Sequence, residues 1–497
     1  MKKRQLFFIS LIVIILLFAL GCYFFFSSRQ PGREALPSVN DIPRYEIEGE
    51  FFPDSGVFSG KEMVYYKNNE GEPLKELFFH IYPNAFNKKE TAPFTAEEFE
   101  LAYPEGFSWG GIAITKVLLD GVPAVFKTEG TILAVNLNGE LNPDREVKVY
   151  IEFKIKLPKS PGRFGYFKDT YNFGNWYPIL CVYDKEGWHK DPYYKIGDPF
   201  YSDIAYYNFT LYAPSEYILA TTGEIVEQKE ERGKKKWVVK TGPVRDFAFV
   251  MSKEFKIKEA YAGKTRVISY YFKEDEENGK KALEAARKAI NYFSEAFGPY
   301  IYSTYSVVAA DFYMGGMEYP NLVLIDRNLY KDGLMLEYVI AHETAHQWWY
   351  GMVGNDEIKE PWLDEAVTEY STILYFEKHY GKRQGSEIYE NFILNPYKFY
   401  QMARNTGPIM RHLSEFNDWR EYDAAVYKKG AIMLKELEKR ISKPKMIKAL
   451  NVYYHRNFLR NSTVEEFIRA INDTTGTDFR ELIFKMLREE KELNLAA

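Results

Sequence analysis

His342 and His346 stand four residues apart in the stretch Tyr338-Val-Ile-Ala-His-Glu-Thr-Ala-His-Gln-Trp-Trp-Tyr350, with Glu343 between them. On an α-helix, residues at that spacing share one face, so both imidazoles can reach one metal ion. Zinc takes nitrogen and oxygen ligands in tetrahedral sites, and a catalytic zinc has three protein ligands and an open position. Glu365, on the next helical pattern Trp362–Tyr370, supplies the third ligand. Eighteen residues lie between it and His346, enough for a turn and an antiparallel return. The set His342, His346 and Glu365 predicts one zinc per chain, which would activate a water for attack. Glu343 projects differently around the helix and can carry the water's proton to a leaving amine. The flanking residues Leu336, Ile340, Ala341, Ala345 and Trp348 are apolar, and burying two histidines and a glutamate among them without a partner is costly. Trp349 and Met352 stand where the longer three-histidine variant of this motif needs Gly and His, which excludes that variant.

The elements that must position these residues follow from composition and periodicity. The 497 residues suffice for two or three domains, and a net charge of −5 gives no reason to expect nucleic acid as a partner. Cys22 and Cys181 are the only cysteines; Cys22 lies in an apolar run, so no intramolecular disulfide is expected. Lys2-Lys3-Arg4 precede that run, Leu6–Phe26, whose 21 residues would span roughly 31 Å as a helix, the thickness of a bilayer core. A membrane anchor over residues 1–26 with an extracytoplasmic catalytic domain is the first reading. A lipoprotein is the second, because Ala19-Leu20-Gly21-Cys22 resembles a lipobox, and a cleaved signal the third. Residues 27–44 read as a tether. Residues 45–256 form an antiparallel β domain, clearest at 145–157, where Val147, Val149, Ile151, Phe153 and Ile155 alternate with polar residues and Tyr150. Asp120-Gly121 and Asn138-Gly139 are turn signals. Residues 257–497 form a mainly helical domain, with a helix over 280–297 closed by Gly298, and strands at 305–310 and 322–325 flanking Gly315-Gly316. The segment Tyr171–Pro178 reads as core rather than cleft.

Several segments together resemble the aminopeptidase N family of zinc metallopeptidases, the gluzincins. Gly315-Gly316-Met317-Glu318-Tyr319 is similar to the family's exopeptidase motif, although Tyr319 stands where Asn is usual. Tyr427-Lys-Lys-Gly-Ala431 is similar to the segment holding its catalytic tyrosine. Glu76–Asn84, Arg245–Ala248 and Trp362–Glu365 are weaker matches. The resemblance implies an α+β multidomain fold: a β-saddle domain, then a thermolysin-like catalytic domain, here in a short form lacking the C-terminal helical domain. It implies an aminopeptidase acting on peptides with a free N-terminus. Glu318 would bind the α-ammonium group, Gly315, Gly316 and Met317 would border the substrate backbone, and Tyr427 would donate to the oxyanion. Glu369, one turn after Glu365, is a candidate for orienting a zinc histidine. Two other classes stand beside this one: a thermolysin-type endopeptidase, against which Glu318 speaks, and a decayed, non-catalytic tethered module, against which the intact set of site residues speaks.

Overall fold

The alternation over 145–157 is realised as the strand Glu146–Lys156, with Val147, Val149, Ile151, Phe153 and Ile155 buried and Lys148 and Lys154 exposed. The computed structural model describes Ser38 and residues 41–489. The apolar run Leu6–Phe26, Cys22 and the tether up to residue 37 lie outside them. Among the described residues, no helix is long and apolar enough to cross a membrane.

The strand Glu146–Lys156 belongs to an eight-stranded sheet. Its order is Glu224–Glu231, Lys234–Lys240, Tyr206–Pro214, Arg44–Phe52, Val57–Lys67, Glu146–Lys156, Gly111–Leu119 and Val122–Pro123. Only Arg44–Phe52 and Tyr206–Pro214 run parallel; the other neighbours are antiparallel. Two four-stranded sheets and the two-stranded pair Tyr183–Asp184 and Gly187–Trp188 complete this half among the described residues. Fully buried Trp176 joins the elements, meeting the rings of Phe58, Phe153, Phe173, Phe209 and Phe249 edge-on. That geometry sets the positive ring edge against the negative face. Asp120-Gly121, both at positive φ, turns Gly111–Leu119 into Val122–Pro123. Asn138-Gly139 does not separate two strands. It sits inside Ile132–Leu141, where the pairing to Leu74–His80 shifts register, so the positive-φ pair makes an irregularity in one strand.

The helical half opens on a five-stranded sheet in the order Lys256–Ala262, Thr265–Tyr271, Thr304–Ala310, Leu322–Asp326, Gly316–Met317. Thr265–Tyr271 and Thr304–Ala310 are parallel. Parallel neighbours need a crossover, and helix α1, Glu276–Ala296, provides it. The expected helix over 280–297 therefore starts four residues earlier than its apolar pattern. Gly316–Met317 pairs antiparallel with Leu322–Asp326 and forms the sheet's edge. Helix α2 spans Gly333–Ala345, and helix α3 spans Trp362–Ile388 with a kink at Gly381. A π-helical turn, Asp423–Lys429, leads into helix α4, Gly430–Ile441.

Candidate metal centre and its cleft

Helix α2 begins where the Asp332 side chain accepts hydrogen bonds from the backbone N–H groups of Leu334 and Met335. It runs through apolar surroundings to Ala345, so His346 falls at its C-cap while keeping helical φ and ψ. The i, i+4 relation survives: His342 Nε2 and His346 Nε2 lie 3.0 Å apart. Helix α3 brings Glu365 Oε2 to 3.4 Å from the first and 3.3 Å from the second. Two ligands ~2.0–2.1 Å from a tetrahedral ion are ~3.3 Å apart, so this triangle of donors has the dimensions of a zinc site. All three residues are buried, and Glu365 Oε2 has no hydrogen-bond partner. A buried carboxylate oxygen left so is costly unless a cation completes it.

The two histidines are held unequally. His346 Nδ1 lies 2.5 Å from Asp364 Oδ1, 3.1 Å from the Trp349 carbonyl and 3.2 Å from Thr368 Oγ1. A proton on Nδ1 donated to Asp364 leaves the Nε2 lone pair for a metal. His342 Nδ1 has no hydrogen bond; Glu369 Oε2 is 3.7 Å away. Glu369 instead takes Lys428 Nζ at 2.7 Å and the Tyr338 hydroxyl. The oriented histidine is thus His346, and its partner Asp364 escaped the sequence analysis, although it directly precedes the third ligand.

Glu343 lies on α2 with Oε2 unpartnered. A Cβ on Gly316 would sit 2.0 Å from Glu343 Oε1, so glycine lets the edge strand close over this carboxylate. Gly315, at φ +85°, turns the chain into that strand. Met317 is buried, and Glu318 follows, 5% exposed as a residue and with Oε1 lacking a hydrogen bond. One donor atom from each of Glu318, His346, Asp364 and Glu365 lies within 4.8 Å of the others. Gln347 clamps the same loop: its Nε2 donates to the carbonyls of Glu318 (3.4 Å) and Tyr319 (3.2 Å), and its Oε1 accepts from Asn321 N–H (2.8 Å).

Tyr427 reaches the centre from the π-helical turn. Its hydroxyl donates to Glu365 Oε1, and its ring stacks 6.0 Å from that of His342. Gly430 makes the approach possible, because a Cβ there would fall 2.5 Å from Ala366 Cβ on α3. The resulting cleft is a cavity of about 450 Å³, lined by His342, Glu343, Tyr427 and Lys428 from the helical half and by Arg163 and Asp198 from the β half. Those last two form a buried ion pair at 2.5 Å that the sequence alone did not signal.

Burial and neighbours set the charges. Burial acting alone would raise Glu365, but His346 and His342 outweigh it and hold its carboxyl at about 2. Burial is likewise outweighed at Glu369, where Lys428 and His342 keep the carboxyl below the usual range. Burial pushes Glu343 up to about 7, with His342 and His346 only partly offsetting it. Burial also pushes Glu318 well up, opposed by His346.

Fold and donor set define a candidate two-histidine, one-glutamate metal centre at the edge of a mixed sheet and two helices. Residues 281–486 match the Peptidase family M1 domain. An aminopeptidase N of Caulobacter vibrioides is 26% identical over 211 residues, 40% of this chain and 24% of that protein. Aminopeptidase M1-A of Oryza sativa subsp. japonica is 24% identical over 382 residues, 73% of this chain and 42% of the relative. The match thus spans from a quarter to less than half the length of these curated relatives. The M1 zinc metallopeptidase of Deinococcus radiodurans shares the fold, with a TM-score of 0.65 over 92% of this chain and 95% of that one at 16% identity. Residues 281–486 are thus similar to the catalytic part of aminopeptidase N-like peptidases of family M1.

Proposed function

We propose that this protein is a zinc-dependent aminopeptidase that removes N-terminal residues from peptides. The observation that carries the reading is Glu318: a buried carboxylate with an unpartnered oxygen, lining the cavity that also holds His342, His346 and Glu365. An arriving α-ammonium group would restore its ionised form and form a charge-assisted contact. The anchor's fixed distance from the metal centre would count one residue from the chain's start. The edge strand Gly316–Met317 lines the same cavity and can pair with an extended peptide backbone.

His342, His346 and Glu365 would hold the zinc, with Asp364 fixing the His346 tautomer. The ion, when bound, supplies Lewis acidity toward the scissile carbonyl and the attacking water. Glu343 takes the proton of the attacking water and hands it to the leaving amine. The Tyr427 hydroxyl leaves its bond to Glu365 and donates to the oxygen that gains charge in the transition state. The related Deinococcus radiodurans enzyme has been solved, as a mutant, bound to a Tyr-Ser-Ala substrate, which agrees with an acceptor of short free peptides. The N-terminal run Leu6–Phe26, behind three basic residues, supports a membrane-anchored enzyme with its catalytic domain outside the cytoplasm. Recovery of the protein in a soluble cytoplasmic fraction would contradict that placement.

The deciding experiment compares kcat/KM for one peptide with and without an N-acetyl cap, in wild type and in Glu318→Ala. The expected result is strong preference for the free amine, lost in the variant with zinc retained. Equal cleavage of both peptides at internal bonds would favour a thermolysin-type endopeptidase.

A further inference from the structure

Among the described residues, no hydrogen bond holds Glu318 Oε1, which is buried and unpartnered. Its position must therefore come from the backbone. On one side Gln347 clamps the carbonyls of residues 318 and 319 to the zinc-binding segment. On the other side lies Tyr319, 1% exposed, whose hydroxyl donates to Asn175 Oδ1 at 2.9 Å, across to the β half of the molecule. Asn175 Nδ2 donates to Asp246 Oδ2 at 2.7 Å, and Asp246 Oδ1 accepts from the Tyr177 hydroxyl at 3.1 Å and from Phe247 N–H at 2.6 Å. Tyr177 in turn bonds the Tyr207 hydroxyl at 2.8 Å. All six residues are buried. Gly174 makes room for the first link, since a Cβ there would lie 1.8 Å from the Tyr319 hydroxyl oxygen. The residue before Asp246 grips the other end of the site: Arg245 Nε donates to the Tyr350 carbonyl at 2.8 Å, just past the second zinc histidine.

We propose that Tyr319 is a positioning residue for amine recognition, and that its bond to Asn175 lets the β half hold Glu318 at the correct distance from the metal centre. The inference rests on the aminopeptidase reading. The Tyr319–Asn175 bond is connected to a buried carboxyl hub, Asp246, both of whose oxygens have hydrogen-bond partners, and satisfied buried networks of this kind hold geometry. Among the described residues, the hydrogen bond of the Tyr319 hydroxyl goes to Asn175 and not to a proposed metal ligand or Glu343, so its hold on Glu318 runs through the adjoining backbone.

The test measures KM and kcat on a free peptide and its N-acetyl counterpart, with zinc content, for Tyr319→Phe, Asn175→Ala and the double variant. Loss of one such bond should raise KM for the free peptide about two- to tenfold. Turnover should stay within about twofold, and the capped peptide should be unaffected. The double variant should lose no more than the worse single one, because the two remove one shared interaction. In a Glu318→Ala background, Tyr319→Phe should change nothing further. Unaltered KM in Tyr319→Phe, or equal losses on capped and free peptide, overturns the positioning role while leaving the aminopeptidase reading intact. A wild type indifferent to the cap overturns both.

Discussion

On helix α3, Glu365 and Glu369 each meet a basic partner: the two histidines for the first, Lys428 and His342 for the second. Both carboxyls are held below the usual range despite burial. On α2 and just past the edge strand Gly316–Met317, Glu343 and Glu318 have unpartnered oxygens, and burial pushes both up. All four line one cavity. The difference separates carboxylates whose charge is already answered inside the protein from those left for something that arrives. The first kind suits ligation and scaffolding. The second suits proton transfer and recognition of a cation, because burial without a partner favours the protonated form and an arriving cation or proton donor can reverse it.

Removing a ligand should break the contrast most severely. His346→Ala removes a donor and leaves Asp364 and Glu365 buried without their partner, so zinc should fall from one per chain to near zero, and activity with it. Loss of a buried charged partner should also cost about 3–5 kcal/mol in stability. Metal analysis and thermal unfolding of the purified variant read both effects; retained stoichiometric zinc would move the site elsewhere.

Glu343→Gln should leave zinc in place and lower kcat by about 10²–10⁴, the usual contribution of a positioned base. The wild type sharpens the point through pH. Glu343 accepts a proton only when ionised, so kcat/KM should fall as pH drops through its pKa. The value of about 7 set by burial is a ceiling, since a zinc ion nearby favours the carboxylate. An acid limb unchanged in the Gln variant's residual activity would assign the titration to another group.

Tyr427→Phe should reduce kcat by about 10²–10³ with little change in KM, as expected of a donor that acts on charge present only in the transition state. A loss confined to KM would make Tyr427 a binding residue. The smallest effect should come from Asp364→Asn, which keeps shape but weakens the hold on His346 Nδ1; metal affinity should drop about 10–100-fold, measured by chelator competition. An unaltered affinity would mean that the Trp349 carbonyl and Thr368 suffice to orient the ring.

The strand alternation at 145–157, the crossover helix and the HExxH spacing were legible because each is a local period: two residues for a strand, 3.6 for a helix. Other readings fell short where a pairing decided the outcome. Asn138-Gly139 has the composition of a hairpin turn, yet the partner strand Leu74–His80 continues past it and absorbs the pair as an irregularity. Glu369 has the helical spacing to orient a histidine and does face one, with Oε2 3.7 Å from His342 Nδ1, but the π-helical turn also brings Lys428 to 2.7 Å from its Oε1, a partner that spacing did not reveal.

Spacing within one chain segment therefore determined which residues can face one metal ion: His342 and His346 on one helix face, and Glu365 after a connection long enough to return. Which carboxylate supports His346, what Tyr319 does in place of the usual Asn, and how Tyr427 reaches Glu365 were decided by tertiary structure alone. Those contacts join residues 18, 144 and 62 positions apart. Their distances depend on how helices and sheets pack, through close approaches such as Gly430 on Ala366 and Gly174 on Tyr319. A local period carries no information about packing between elements, because side-chain volumes on both partners fix it together.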